Sequence, residues 1–257
     1  MTLVVRGGPG GVRVTPEDAR WKYVGFEVVR PGTGTRRDLA GREACVVLLG
    51  GSVTIAVPRG PRFELAVRPD PFGGPPRGVY LPPGTTFDLE GDGEVAIGTA
   101  PAKRGAALRP LMEPRLEIRG SGAMERRIHH ILMEDQEAES LLVTEVVTPG
   151  GHWSSYPPHK HDEDDPPRET ALEETYYHRL RDPRGFAVQR VYTADGLLDE
   201  TAAVRDGDLM LVPRGFHTVS AAPGYDSYYL NVMAGPVRRW CVTFDRSHAW
   251  LLPPPPP

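Results

Sequence analysis

The chain has 257 residues and a formal net charge of −4 at pH 7, with 30 Lys and Arg scattered among 34 Asp and Glu. It therefore has no basic field to grip a phosphate backbone, and nucleic acid is not an expected partner. Its two cysteines, Cys45 and Cys241, lack Cys-x-x-Cys spacing, which argues against a disulfide scaffold or thiolate zinc site and for a reducing compartment. No run approaches the roughly 20 apolar residues of a membrane span, and the opening MTLVVRGGPGG lacks the apolar stretch of a signal peptide, so a soluble, cytoplasmic protein with a small-molecule partner is expected.

In chain order, short β-branched or alternating runs follow one another, cut by Gly, Pro and Asp. They are WKYVGFEVVR, CVVLLGGSVTIAV, RGVYLP and EVAIGTA in the first half, then SLLVTEVVT, TYYH, FAVQRVYT, DLMLVP, SYYLNVMA and RRWCVTF. This spacing predicts an all-β chain of sandwich or barrel type, and 29 glycines and 28 prolines supply the many turns. Helix is expected only as short pieces around PEDAR and DPRG. The closing PPPPP can enter neither helix nor central strand and is set apart as a tail, 251–257.

The two halves echo one another. RGVYLPPGTTFDL and GDLMLVPRGFHTV each read as a strand, a Pro/Gly turn and an onward strand, which points to tandem barrels, the first over 1–110 and the second over 120–250. The seam is placed in the Arg, Pro and Gly-rich stretch 103–125. The second copy carries His217 after its turn where the first has Thr85 and Thr86, so a metal is expected in the C-terminal barrel alone.

The stretch PPHKHDEDDPPRETALEETYYHR supplies the remaining candidates. Residues two apart on a strand point the same way, so His159 and His161 share a face, as do Glu174, Tyr176 and His178. With His217 they make a three-His, one-carboxylate shell suited to Zn, Mn, Fe, Co or Ni. The plainer alternative is a pair of surface histidines beside a solvated DEDDPP loop, which could also act as a mobile lid.

The Gly207…Pro213-Arg214-Gly215 turn with His217 resembles the second motif of the cupin superfamily, although one residue rather than two separates Gly215 from His217. The His161 to Glu174 gap is also longer than usual in cupins. Together with PPHKHD, LEETYYHR, GFAVQRVYT, LDE, VPRGFH, GYDSYYLNVMAGPVRRW and DRSHAW, these departures resemble the 5-deoxy-glucuronate isomerase family of inositol catabolism. The likeness is strong over 125–250 and rests on order and spacing before that.

The resemblance implies two tandem cupin barrels with one divalent ion per chain, Zn or Mn, held in the C-terminal barrel by His159, His161, Glu174 and His217. In this family and the related uronate ketol-isomerases the glutamate directly before the aromatic strand is the ligand, which favours Glu174 over Glu173. The implied reaction is aldose-ketose isomerisation of 5-deoxy-D-glucuronate to 5-dehydro-2-deoxy-D-gluconate.

That reaction needs a proton shuttle, for which His178 is the candidate, and a cation for the distal carboxylate. Arg190 and Tyr192 are taken as the pocket pair of their strand, Tyr229 and Asn231 as a polar wall, and Arg179 or Arg214 as substitutes for Arg190. Trp240 and Trp250 are assigned to packing, and His129 and His130 to structural or surface roles. The rivals are a 4-deoxy-5-ketouronate isomerase of pectin breakdown, a cupin oxygenase, and a non-catalytic sugar-acid binding protein. A homo-oligomer is compatible with each.

Overall fold

A computed structural model describes residues 2–252, so the proline run 253–257 lies outside the described residues. Among the described residues, strands form three curled sheets, of seven, nine and five strands. The nine-stranded sheet folds on itself as the N-terminal barrel, while the other two face each other as the C-terminal one. Helix among these residues is confined to Pro16–Ala19 and two 3-10 turns; Pro16–Ala19 forms because Thr15 and Asp18 cap one another's backbone reciprocally. DPRG is a turn. No helix among the described residues is long and apolar enough to cross a membrane.

Alternation along each strand divides the core. In Arg42–Ala56, Ala44, Val46 and Leu48 fill the first barrel, while Cys45, Val47 and Leu49 face the second. This 15-residue strand bends at a register shift between Leu48 and Gly50. Gly51 there has φ +73, and a Cβ would sit 2.6 Å from Gly93 Cα, so only glycine lets the strand turn the corner. Phe87, Leu89, Ile55 and Val79 pack the barrel's interior with aliphatic and aromatic groups. Each such burial contributes roughly 1.5–3 kcal/mol, and none of these four side chains carries a metal-ligating atom.

The same alternation in the C-terminal barrel sends Tyr177, Tyr228, Leu230 and Val232 toward the first barrel and Tyr176 and Tyr229 inward. Buried carboxylates tie the two barrels. Glu43 accepts the backbone N–H groups of Glu139, Ser140 and Leu141 at 2.6–3.0 Å and the Tyr80 hydroxyl at 2.5 Å. Arg68 meets Glu145 at 2.8 Å, both side chains at most 2% exposed, and Tyr228 donates to the same carboxylate at 3.0 Å.

The chain crosses between barrels after Leu111, since Arg109–Leu111 pairs within the first sheet and Arg115–Arg119 within the seven-stranded one. One element departs from the expected 1–110 division. Val4–Val5 pairs with Leu209–Val212, so the start of the chain forms the edge of a C-terminal sheet.

Candidate metal centre and active-site cavity

His159 and His217 lie directly opposite on the paired strands Trp153–Lys160 and Phe216–Ala221. Gly215, two residues before His217, has φ +90, and a Cβ there would stand 2.4 Å from the Tyr192 carbonyl oxygen. Glycine thus makes the tight turn that delivers His217. The Asp162 carboxylate accepts the Gly215 N–H at 2.7 Å, linking the turn to the loop after His161. Glu174 comes from the facing sheet, on Glu173–Leu180, aligned with Val212 and Met233. Glu173 points the other way and accepts the N–H groups of Lys22, Tyr23 and Val24 at 2.7–2.9 Å.

The four side chains converge. His161 Nε2 is 2.9 Å and His217 Nε2 3.2 Å from the same Glu174 oxygen, and ligand atoms of His159, His161 and His217 all lie within 4.8 Å of one another. Their neighbours fix the tautomers, with Nδ1–H of His161 donating to the Leu172 carbonyl at 3.2 Å and that of His217 to Gly215 at 3.1 Å. Both rings are left presenting Nε2, the arrangement metal-binding histidines take. His217 Nε2 is buried without a hydrogen-bond partner. A shared divalent cation would answer that orphaned atom, so the residues fit the ion. Burial pushes His159 well below the ordinary imidazole range. For Glu174, burial raises the pKa, but the imidazoles of His161 and His217 beside it outweigh burial and hold it at about 2.

A cavity of about 490 Å³, its open mouth included, runs from His159 and Glu174 past Tyr176, Asn231 and Tyr229 to Arg126. Across the sheet, His130, Thr144, Asn231 and Tyr176 are successive partners and share a face. Ser155 holds φ +48 in the irregular part of its strand, and its hydroxyl lies 3.0 Å from Tyr176 and 3.4 Å from Tyr229. Burial raises both phenols, so they stay protonated. Trp240, assigned only packing from sequence, lines the cavity and stands edge-on to His159 at 5.9 Å. Its segment is held by Arg238, which donates to the carbonyls of Leu141 at 2.7 Å and Met133 at 2.6 Å.

Other expected site residues fall elsewhere. The register of Ala187–Tyr192 sets Val191 opposite His217 and Gln189 opposite Val219, so Gln189 and Val191 face inward and Arg190 faces out. Arg190 is exposed, forms a two-pronged pair with Asp199 at 2.8 Å, and lies over the Tyr192 ring. Solvent and Asp199 keep that cation in place, whereas neutral Gln189 is buried with its Oε1 on His178 Nε2 and its Nε2 without a partner. Tyr192 donates to Asp245 at 2.6 Å and anchors the C-terminal segment. His178 is inward but lies outside the cavity lining, stacked on Tyr176 and 2.7 Å from Gln189 Oε1. Burial lowers its pKa to about 4. Arg179 is taken up by Glu94 and Asp206.

Sequence reading missed Arg119, Arg126, His130, Thr144 and Ser155 as cavity residues. The signal was the period-two set Arg126, Ile128 and His130, legible once a strand is begun at Arg126.

The KduI/IolB family matches residues 5–251. The chain belongs to that family. A 5-deoxy-glucuronate isomerase of Geobacillus kaustophilus is 51% identical over 94% of this chain and 90% of its own length. One from Shouchella clausii is 42% identical over 92% and 90%. An IolB-like protein of Salmonella typhimurium superposes with a TM-score of 0.94 at 41% identity, covering 98% of this chain and 99% of that one. Oxalate decarboxylase of Bacillus subtilis, at 13% identity and TM-score 0.63 over 96% and 78%, shares the bicupin fold. This KduI/IolB member is thus an all-β bicupin and an isomerase.

Proposed function

We propose that the chain converts 5-deoxy-D-glucuronate to 5-dehydro-2-deoxy-D-gluconate with one divalent ion, Zn or Mn, held by His159, His161, Glu174 and His217. The observation that carries this is the buried three-histidine, one-glutamate cluster opening into a hydroxyl-lined cavity, in a chain half identical to enzymes of that name. The reaction moves one hydrogen from C2 to C1 through an enediolate, while the C2 hydroxyl becomes a carbonyl and the aldehyde a hydroxyl, so no external oxidant is needed. The bound ion would supply Lewis acidity to the aldehyde oxygen and its neighbouring hydroxyl. The protonated phenols of Tyr176 and Tyr229, with Ser155 and Asn231, offer hydrogen bonds to the polyol oxygens. The Trp240 segment shields that end of the cavity from bulk water.

The two free cysteines support a reducing, cytoplasmic setting. The test is elemental analysis of the purified protein beside an anaerobic assay offering 5-deoxy-glucuronate and 4-deoxy-5-ketouronate. One ion per chain and oxygen-independent turnover of the first are expected. Preference for the second, or turnover that consumes oxygen, would overturn the reading.

A further inference from the structure

Arg126 stands apart from the other cavity cations. It lines the same cavity as His159 and Glu174 and is 7% exposed. Of the five N–H donors on a guanidinium, only one on Nη1 has a protein acceptor among the described residues, the Met124 carbonyl at 2.9 Å. Arg119, by contrast, has both arms on the Glu117 carboxylate at 2.7 and 3.0 Å, and His130 Nε2 meets the same carboxylate at 2.8 Å. The protein therefore answers Arg119 and leaves Arg126 with most of its fork open.

The position is built for that side chain. Gly120, at φ +82, would carry a Cβ only 2.8 Å from Arg126 Nη1 and 2.3 Å from the Met124 oxygen, so glycine is what lets the guanidinium settle there. Ile128 and Val146 line the cavity beside it and bring no charge. A buried cation without an anion is strongly unfavourable, which makes the cavity end at Arg126 a receptor for one.

We propose that Arg126 binds the carboxylate of the sugar acid, its planar fork making paired, charge-assisted hydrogen bonds. This rests on the isomerase reading above and adds the residue that selects an acid over a neutral sugar. It also orients the substrate, placing the carboxylate at Arg126 and the reacting carbons toward the histidine and glutamate cluster.

The experiment compares the metal-loaded parent, Arg126→Met and Arg126→Lys on 5-deoxy-glucuronate and on 5-deoxy-glucose, in which the carboxylate is replaced by a neutral CH₂OH. Turnover and calorimetric binding are both measured, with metal content as a control. Arg126→Met is expected to lower kcat/KM for the acid about 10- to 150-fold, to weaken acid binding by a similar factor, and to leave the neutral sugar within about twofold. Arg126→Lys should lose less, again only for the acid, and it carries the test if the Met variant does not fold. Equal losses on acid and neutral sugar, or an acid rate and affinity matching the parent, would overturn the assignment. A parent that binds the acid through Arg126 but does not isomerise it would overturn the proposed reaction and leave the carboxylate site standing.

Discussion

Glu173 and Glu174 show how much chemistry a single step along a strand can separate. One is spent on three backbone N–H groups of the N-terminal half and the other faces three imidazoles. That division was legible in the sequence, because the aromatic strand after the pair fixes which glutamate shares a face with Tyr176. Arg190 was not legible. Both faces of FAVQRVYT mix apolar and polar residues, and only the pairing of Val191 with His217 reveals which looks inward. At this scale the ligand set makes a direct prediction. His161→Ala removes an imidazole 2.9 Å from Glu174, and the purified variant should lose its ion and turnover by at least about 100-fold while its circular dichroism remains that of the parent. Full metal occupancy by elemental analysis would mean that His161 is not a ligand.

Between elements, the His178–Gln189 contact ties the two sheets of the C-terminal barrel across its interior. Buried His178 protonates at about 4, against an ordinary value of 6.5. Because the unfolded chain takes up the proton first as pH falls, the contribution is present above pH 6.5 and lost between about 6.5 and 4. It amounts to roughly 3 kcal/mol. Asp208 is the charged neighbour that opposes the shift. Urea unfolding at pH 7 and pH 4.5 should show that decline in the parent, and a smaller one in His178→Gln, whose turnover at pH 7 should remain within about threefold of the parent. A large fall in turnover with stability unchanged would restore His178 as the proton shuttle. The Tyr192–Asp245 bond anchors a second element, the segment bearing Trp240. Tyr192→Phe should cost about 1 kcal/mol locally and speed amide exchange over residues 243–251. Unchanged exchange there would show that Arg238, together with the Thr170 hydroxyl that donates to the Arg239 carbonyl at 2.6 Å, holds the segment unaided.

For the molecule as a whole, the sequence disclosed the strand-rich tandem plan because alternation and turn residues recur throughout. The union between the barrels was harder to read, since its carboxylates meet partners tens of residues away. Arg68 and Glu145 are 77 residues apart in sequence and form a buried pair. Removing one partner strands the other charge, so Arg68→Met should lower unfolding stability by about 3–5 kcal/mol with one ion per folded chain retained. An unchanged urea midpoint would show that the apolar interface alone joins the barrels. The packed interior of the first barrel gives the matching stoichiometry prediction. Elemental analysis should find a single ion per chain, and two would require a site outside the C-terminal cluster.

The pairing of Val4–Val5 with Leu209–Val212 has a consequence for how the protein comes into being. Val4–Val5 is made some two hundred residues before the strand it pairs with, and its place is on the edge of the seven-stranded sheet. Until then Val4–Val5 has no strand to pair with, and its bare backbone groups could recruit another nascent chain. Cleaving the peptide between Leu111 and Arg115 would consequently not yield two self-sufficient barrels, since the C-terminal fragment would leave behind the strand that seals it. A permuted chain that begins at Arg115 and rejoins residues 2–111 after the C-terminal arm would reverse the order of synthesis, so that this edge is made before the strand that closes it.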